Sequence, residues 1–127
     1  MLGEPNLKPG HYLGTEIDEK WWSRYRKDGL FARGNGDYWI ANNCFYFKRY
    51  LTKTDIVIPL NEVREIKTGE WHAGRWAGGA TVLKLIWIKR SMRISSGFVV
   101  SKNTAETNRL VETITRLSDS INSSVKT

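Results

Sequence analysis

The sequence predicts a mainly β domain with added α structure: a curved antiparallel sheet of about seven strands, flanked by an N-terminal and a C-terminal helix. Three observations carry this. From residue 30 onward, short apolar runs alternate with polar residues at the two-residue period of half-buried strands, and turn residues separate them. Residues 103–120 switch to a helical period and carry one apolar stripe, which needs a surface to cover. The chain has 127 residues, enough to bury roughly two thirds of the surface exposed when unfolded.

Residues 1–14 hold two of the three prolines and three of the eleven glycines with little periodicity, and are expected to form a loosely ordered arm. Residues 15–121 are expected to be one domain. Its first element is expected to be a helix over residues 15–28. Thr15 is placed to cap it, Glu16, Asp18 and Glu19 load its first turn, Arg24, Arg26 and Lys27 load its last, and Gly29 stops it. Ile17, Trp21 and Tyr25 recur at four-residue spacing on its inner face.

Strands are expected over residues 30–34 and 37–41, joined by a two-residue turn at Asn35-Gly36, a pair that tolerates positive φ. Asn42-Asn43 turns into a strand over 44–51, with Phe45 and Phe47 on one face and Tyr46, Lys48 and Tyr50 on the other. The next strand, 55–60, points Ile56, Ile58 and Leu60 inward, and Pro59 marks it as an edge. Strands over 64–71, 80–89 and 93–100 follow, and the second of these is apolar on both faces. In the closing helix, Asn103 and Glu106 are spaced like a capping box, and Leu110, Ile114, Leu117 and Ile121 form the stripe. Residues 122–127 are expected to fray.

The segment from Asp37 to Ile40 and on through Ile56-Val57-Ile58-Pro59-Leu60-Asn61-Glu62-Val63-Arg64-Glu65-Ile66 resembles the strand series of GRAM and pleckstrin-homology-like domains of prokaryotic type. Ser95-Ser96-Gly97-Phe98 before a C-terminal helix is similar too. The resemblance spans roughly residues 30–118 and leaves the expected helix 15–28 outside it. It implies a binding or assembly module rather than an enzyme. Pleckstrin-homology domains that grip phosphoinositides carry a Lys/Arg-rich first hairpin, whereas this one is flanked by Arg33 and Asp37, so that specific motif is missing.

Twenty Lys and Arg against thirteen Asp and Glu give a net charge of +7, which draws a surface toward anionic partners and also serves solubility. The single cysteine, Cys44, excludes an internal disulfide and a thiolate metal site and suits a reducing, cytoplasmic compartment. No secretion signal or apolar span is apparent, so contact with a membrane is expected to be peripheral at most.

The least generic stretch is residues 69–79, where two tryptophans, a histidine, an arginine and four glycines fall within eleven residues. Trp71, His72, Arg75 and Trp76 are the expected partner-binding residues, the cation gripping an anion and the indoles stacking or lying at an interface. The alternative is that both indoles fold back over the sheet. A second candidate is anion binding by Lys53, Lys89, Arg90 and Arg93, within or near an interval (residues 71–105) that has no acid. No paired carboxylates, nucleophile motif, phosphate loop or metal spacing appears, and His72 beside Glu70 is the nearest approach to a general base. No catalytic residue, metal or cofactor is therefore expected. The expected partners are a protein, a second copy of the chain or an anionic membrane surface. Single-stranded nucleic acid on Tyr46, Lys48, Arg49, Tyr50 and Lys53 is the rival reading.

Overall fold

A computed structural model describes residues 7–25, 33–50, 52, 55–72, 75–76 and 80–125, with backbone only at 21, 71, 75, 76 and 123–125. These form strands β1 (Lys8–Ile17), β2 (Lys20–Arg24), β3 (Gly34–Ala41), β4 (Cys44–Arg49), β5 (Ile56–Pro59), β6 (Val63–Gly69), β7 (Trp71–His72), β8 (Arg75–Trp76), β9 (Val82–Lys89) and β10 (Met92–Val99). A single 3-10 turn, Leu60–Glu62, precedes β6, and helix α1 spans Thr104–Val125. The main sheet runs β5-β4-β3-β1-β10-β9-β6, every pairing antiparallel, and β2 joins the far half of β1. The mainly β architecture with one closing helix is as the sequence predicts.

The N-terminus departs from expectation. No helix forms over residues 15–28 within the described part; Lys8–Ile17 and Lys20–Arg24 are strands, turned through Asp18 and Glu19 at φ 52° and 58°. The acids that resemble the first turn of a helix are the two turn residues. The expected arm is equally displaced, because β1 is the central strand of the sheet, holding Tyr12, Leu13, Thr15 and Glu16 buried. A ladder partner on each side satisfies the backbone groups that a helix would have satisfied internally.

Asn35-Gly36 is not a turn either. Both residues lie inside β3, and Gly36 sits where a Cβ would fall 2.1 Å from the Lys48 carbonyl oxygen. The glycine serves a close approach of two strands rather than a reversal. The reversal comes at Asn42-Asn43, at φ 51° and 59°, as expected. Pro59 lies on β5, the outermost strand on that side. Leu60 N–H bonds the Asn43 carbonyl at 3.0 Å. By the alternation of a strand, Val57 N–H and the proline nitrogen therefore face the free edge. The proline removes one of the few donors there.

Inside the curved sheet, the Phe98 ring centroid lies 5.3 Å from Tyr12, 5.0 Å from Phe45 and 5.4 Å from Phe47. Helix α1 closes this core with Ile114, fully buried, while Leu110, Leu117 and Ile121 pack partly exposed around it. Asn103 Oδ1 accepts from Ala105 N–H at 2.9 Å, and Ser101 Oγ accepts from Asn103 N–H at 2.9 Å, so Ser101 takes the part expected of Glu106. The helix also runs past the expected boundary at residue 120, through Val125. Ser118 Oγ donates to the Leu60 carbonyl at 3.0 Å and ties the helix to the 3-10 turn.

One polar chain crosses the interior. Tyr12 OH bonds Thr15 Oγ1, Thr15 Oγ1 lies 2.7 Å from Ser96 Oγ, and Trp87 Nε1 donates to Ser96 Oγ at 3.0 Å. Burial pushes the Tyr12 phenol well above its ordinary range. Such a chain links β1, β10 and β9 in one register, because each member left without its partner would cost a full desolvation penalty.

Candidate functional site

The ribbon expected to be the recognition surface forms as a small two-stranded sheet, with Trp71 opposite Trp76 and His72 opposite Arg75. The side chains of Trp71, Arg75 and Trp76 lie outside the described residues, and so does Lys53. His72 is described, and its place corrects the expectation of an exposed binding residue. The ring is 1% exposed. Its Nε2–H donates to the Gly14 carbonyl at 3.0 Å, and its Nδ1 lies 3.7 Å from Glu16 Oε1 without a hydrogen bond. Gly97 makes the room: a Cβ there would fall 2.4 Å from His72 Cγ and Cδ2. Burial holds the imidazole below its ordinary pKa, the Glu16 carboxylate opposes that, and Lys84 reinforces it. His72 therefore pins the ribbon to β1 and β10.

The expected basic cluster separates as well. Lys89 Nζ lies 5.7 Å from the Trp87 ring centre, and Arg90 turns the β9–β10 hairpin with Ser91 at φ 52° and 64°. Arg93 lies on the face opposite Lys89 and enters an ion network, bonded to Glu65 and 3.4 Å from Glu19 Oε2, while Lys67 reaches Glu19 at 2.8 Å and Glu65 at 3.8 Å. Its guanidinium charge is already balanced, which corrects its assignment to an anion site.

The rival platform of Tyr46, Lys48, Arg49, Tyr50 and Lys53 does not present one basic aromatic face, since Arg49 is buried with its guanidinium 5.8 Å from the Tyr12 ring centre. Trp39 and Tyr46 stack across β3 and β4 at 5.2 Å and 7°, each occupying one face of the other. Tyr50 OH donates to Asp37 Oδ1 at 2.9 Å, which places an acid where a phosphate backbone would need a cation.

A different site emerges where the start of β1, the middle of β3 and the first half of α1 meet. These elements enclose an open groove of about 930 Å³. Tyr38, Ile40, Val99, Val100 and Leu110 supply apolar lining, and Lys8, His11, Lys102 and Arg109 supply basic groups against the single acid Glu106. His11 Nδ1 lies 2.6 Å from Asn35 Oδ1, which holds the ring at the groove's edge. Burial, with Glu106 adding to it, raises the Tyr38 phenol, so it stays neutral and available as a donor. None of Lys8, His11, Lys102 and Arg109 belongs to the sequence-expected set. They come from the two ends of the chain, residues 8–11 and 102–109, and the β1–β10 pairing, with His11 opposite Val99, and the docking of α1 bring them together.

Residues 1–115 match the profile of bacterial PH domain-like proteins. The chain belongs to that family. The match takes in the N-terminal strands of this PH-like domain, which the sequence resemblance had left outside, in keeping with the central place of β1 in the sheet. No curated protein and no solved structure matches it. Among the described residues, no helix is long and apolar enough to cross a membrane, and no cluster of three His, Cys, Asp or Glu side chains is placed to hold a metal ion.

Proposed function

We propose that this PH-like domain is a binding module that takes an acidic, partly apolar segment of a partner protein in the groove between β1, β3 and α1. The observation that carries the reading is the conjunction at that groove: Lys8, His11, Lys102 and Arg109 on its walls, one opposing acid, and an apolar lining between them. Apolar contact supplies affinity, and the cations supply orientation and rate of encounter. Membership in a family of PH-like domains, whose members are generally non-enzymatic binding modules, supports the class of function.

A protein segment suits the site better than a membrane surface. The groove is concave, and the exposed large apolar residues among those described, Leu7, Trp22, Tyr50 and Val57, sit on four different segments instead of one insertion patch.

The test is titration of a synthetic peptide of about ten alternating Glu and Leu residues, beside phosphatidylserine vesicles and a single-stranded oligonucleotide. The peptide is expected to bind, and the double reversal Lys102→Glu with Arg109→Glu to weaken it about tenfold or more. Peptide binding indifferent to the reversal, or binding to vesicles or oligonucleotide alone, would sink the proposal.

A further inference from the structure

Three strands of the main sheet end with a free edge among the described residues: β2, β5 and β6. The free edge of β5 is blunted by Pro59, as above, and β5 is only four residues long. Strand β2 carries Lys20 and Arg24 at its ends and no acid, so pairing with its own copy about Trp22 sets like charges opposite each other. Strand β6 differs. It is seven residues long, has no proline, and among the described residues pairs only with β9.

An unpaired edge is a template for another strand. A two-fold axis normal to the sheet keeps faces matched, so β6 can pair with its copy only in registers centred on one residue. Centring on Arg64, Glu65 or Lys67 places that charge against itself. Centring on Val63, Ile66, Thr68 or Gly69 does not, and of these Ile66 alone opposes charged residues of the strand with opposite signs. That register sets Glu65 opposite Lys67 of the second copy twice, and Ile66 against Ile66.

Glu65 and Lys67 already share one face with Arg93 and Glu19, so the same register joins two local ion networks into one across the axis. The patch formed by Glu19, Glu62, Glu65, Arg64, Lys67 and Arg93 balances three acids with three bases in a chain of net charge +7. It is therefore a place where two copies meet without the repulsion that the rest of the surface imposes. Beside this edge, a groove of about 620 Å³ lies between β6 and α1, lined by Arg64, Glu65 and Ile66 on the strand and by Thr115, Ser118 and Asp119 on the helix.

We propose that the chain forms a symmetric homodimer through antiparallel pairing of β6 with β6, centred on Ile66. The irregularity between Val63 and Glu65 ends the regular ladder there, so the association is weak and dynamic. Opposite charges directly across a ladder stabilise it and like charges destabilise it, and this makes the register testable by charge.

Sedimentation velocity from about 10 μM to about 1 mM is expected to show a monomer passing to a dimer by mass action. Lys67→Glu and Glu65→Lys, which each create two like-charge oppositions, are each expected to weaken the dimer about tenfold or more. Mixing the two variants is expected to restore association, because each charge then meets its opposite. Circular dichroism melting verifies that both variants fold. In a Cys44→Ser background, Ile66→Cys is expected to form a disulfide-linked dimer on mild oxidation, since directly opposed residues have the Cα separation that a disulfide requires. A monomer throughout the range, or a dimer that neither variant weakens, would overturn the proposal.

Discussion

At the scale of single residues, interior polar groups carry the arrangement. His72 is neutral in its buried site, its pKa held below the ordinary 6.5 first by burial. In the unfolded chain it titrates near 6.5, so the unfolded state takes up a proton first as pH falls. The stabilisation is complete above pH 6.5 and is lost as pH falls from there toward the lower folded-state value. Denaturant midpoints measured at pH 7.5 and 5.5 should therefore drop on acidification. The drop should shrink in His72→Gln, which keeps a donor for the Gly14 carbonyl, and persist in His11→Gln.

Gly97 faces the same ring. Gly97→Ala drives a methyl into the imidazole carbons and should cost about 1–3 kcal/mol by overpacking, read as a lower urea midpoint. Ser96 is the acceptor for Trp87 Nε1 and a partner of Thr15. Ser96→Ala leaves the Trp87 indole N–H without its acceptor and Thr15 with Tyr12 alone, and should cost about 1–3 kcal/mol. A midpoint unchanged in either variant would remove that residue from the account.

At the scale of elements, α1 is the lid of the core. Ile114 is its one fully buried apolar side chain among the described residues, and Ile114→Ala should destabilise by about 2–5 kcal/mol. Leu117, only partly buried, should cost less when truncated to alanine. This helix was legible in the sequence because stripe, cap and period agree over five turns. Strands β4, β5 and β10 were legible because each alternates between turn residues, and β9 because its apolar run on both faces belongs where both faces are covered.

The N-terminus was not legible because three local signals misled together. Asp18 and Glu19 carry the charge of a helix start while forming a two-residue turn. Ile17, Trp21 and Tyr25 match a helical stripe by spacing alone. The bulge between Tyr12 and Gly14 breaks the alternation that would have revealed β1. Asn35-Gly36 has turn chemistry, but the ladder from β1 to β4 holds it extended.

At the scale of the whole molecule, the groove was beyond sequence reasoning because Lys8, Lys102 and Arg109 lie about a hundred residues apart along the chain at the extreme. Local density of aromatic and basic residues instead favours residues 69–79 and the β9–β10 turn. In the fold, His72 is interior and Arg93 is neutralised by acids. A site built from exposed cations also implies salt dependence. Peptide binding should weaken steadily as ionic strength rises, since exposed charges are screened over about 10 Å at 0.1 M salt, while the apolar share of the affinity persists.

The central claim, that the partner surface is the groove, is tested most directly by mapping backbone amide shifts of the isotope-labelled chain during titration with the acidic peptide. Perturbations gathered at Lys8, His11, Val99, Lys102 and Arg109 are the predicted result. Perturbations confined to residues 71–76 or to Lys89 and Arg90, with the groove silent, would contradict it.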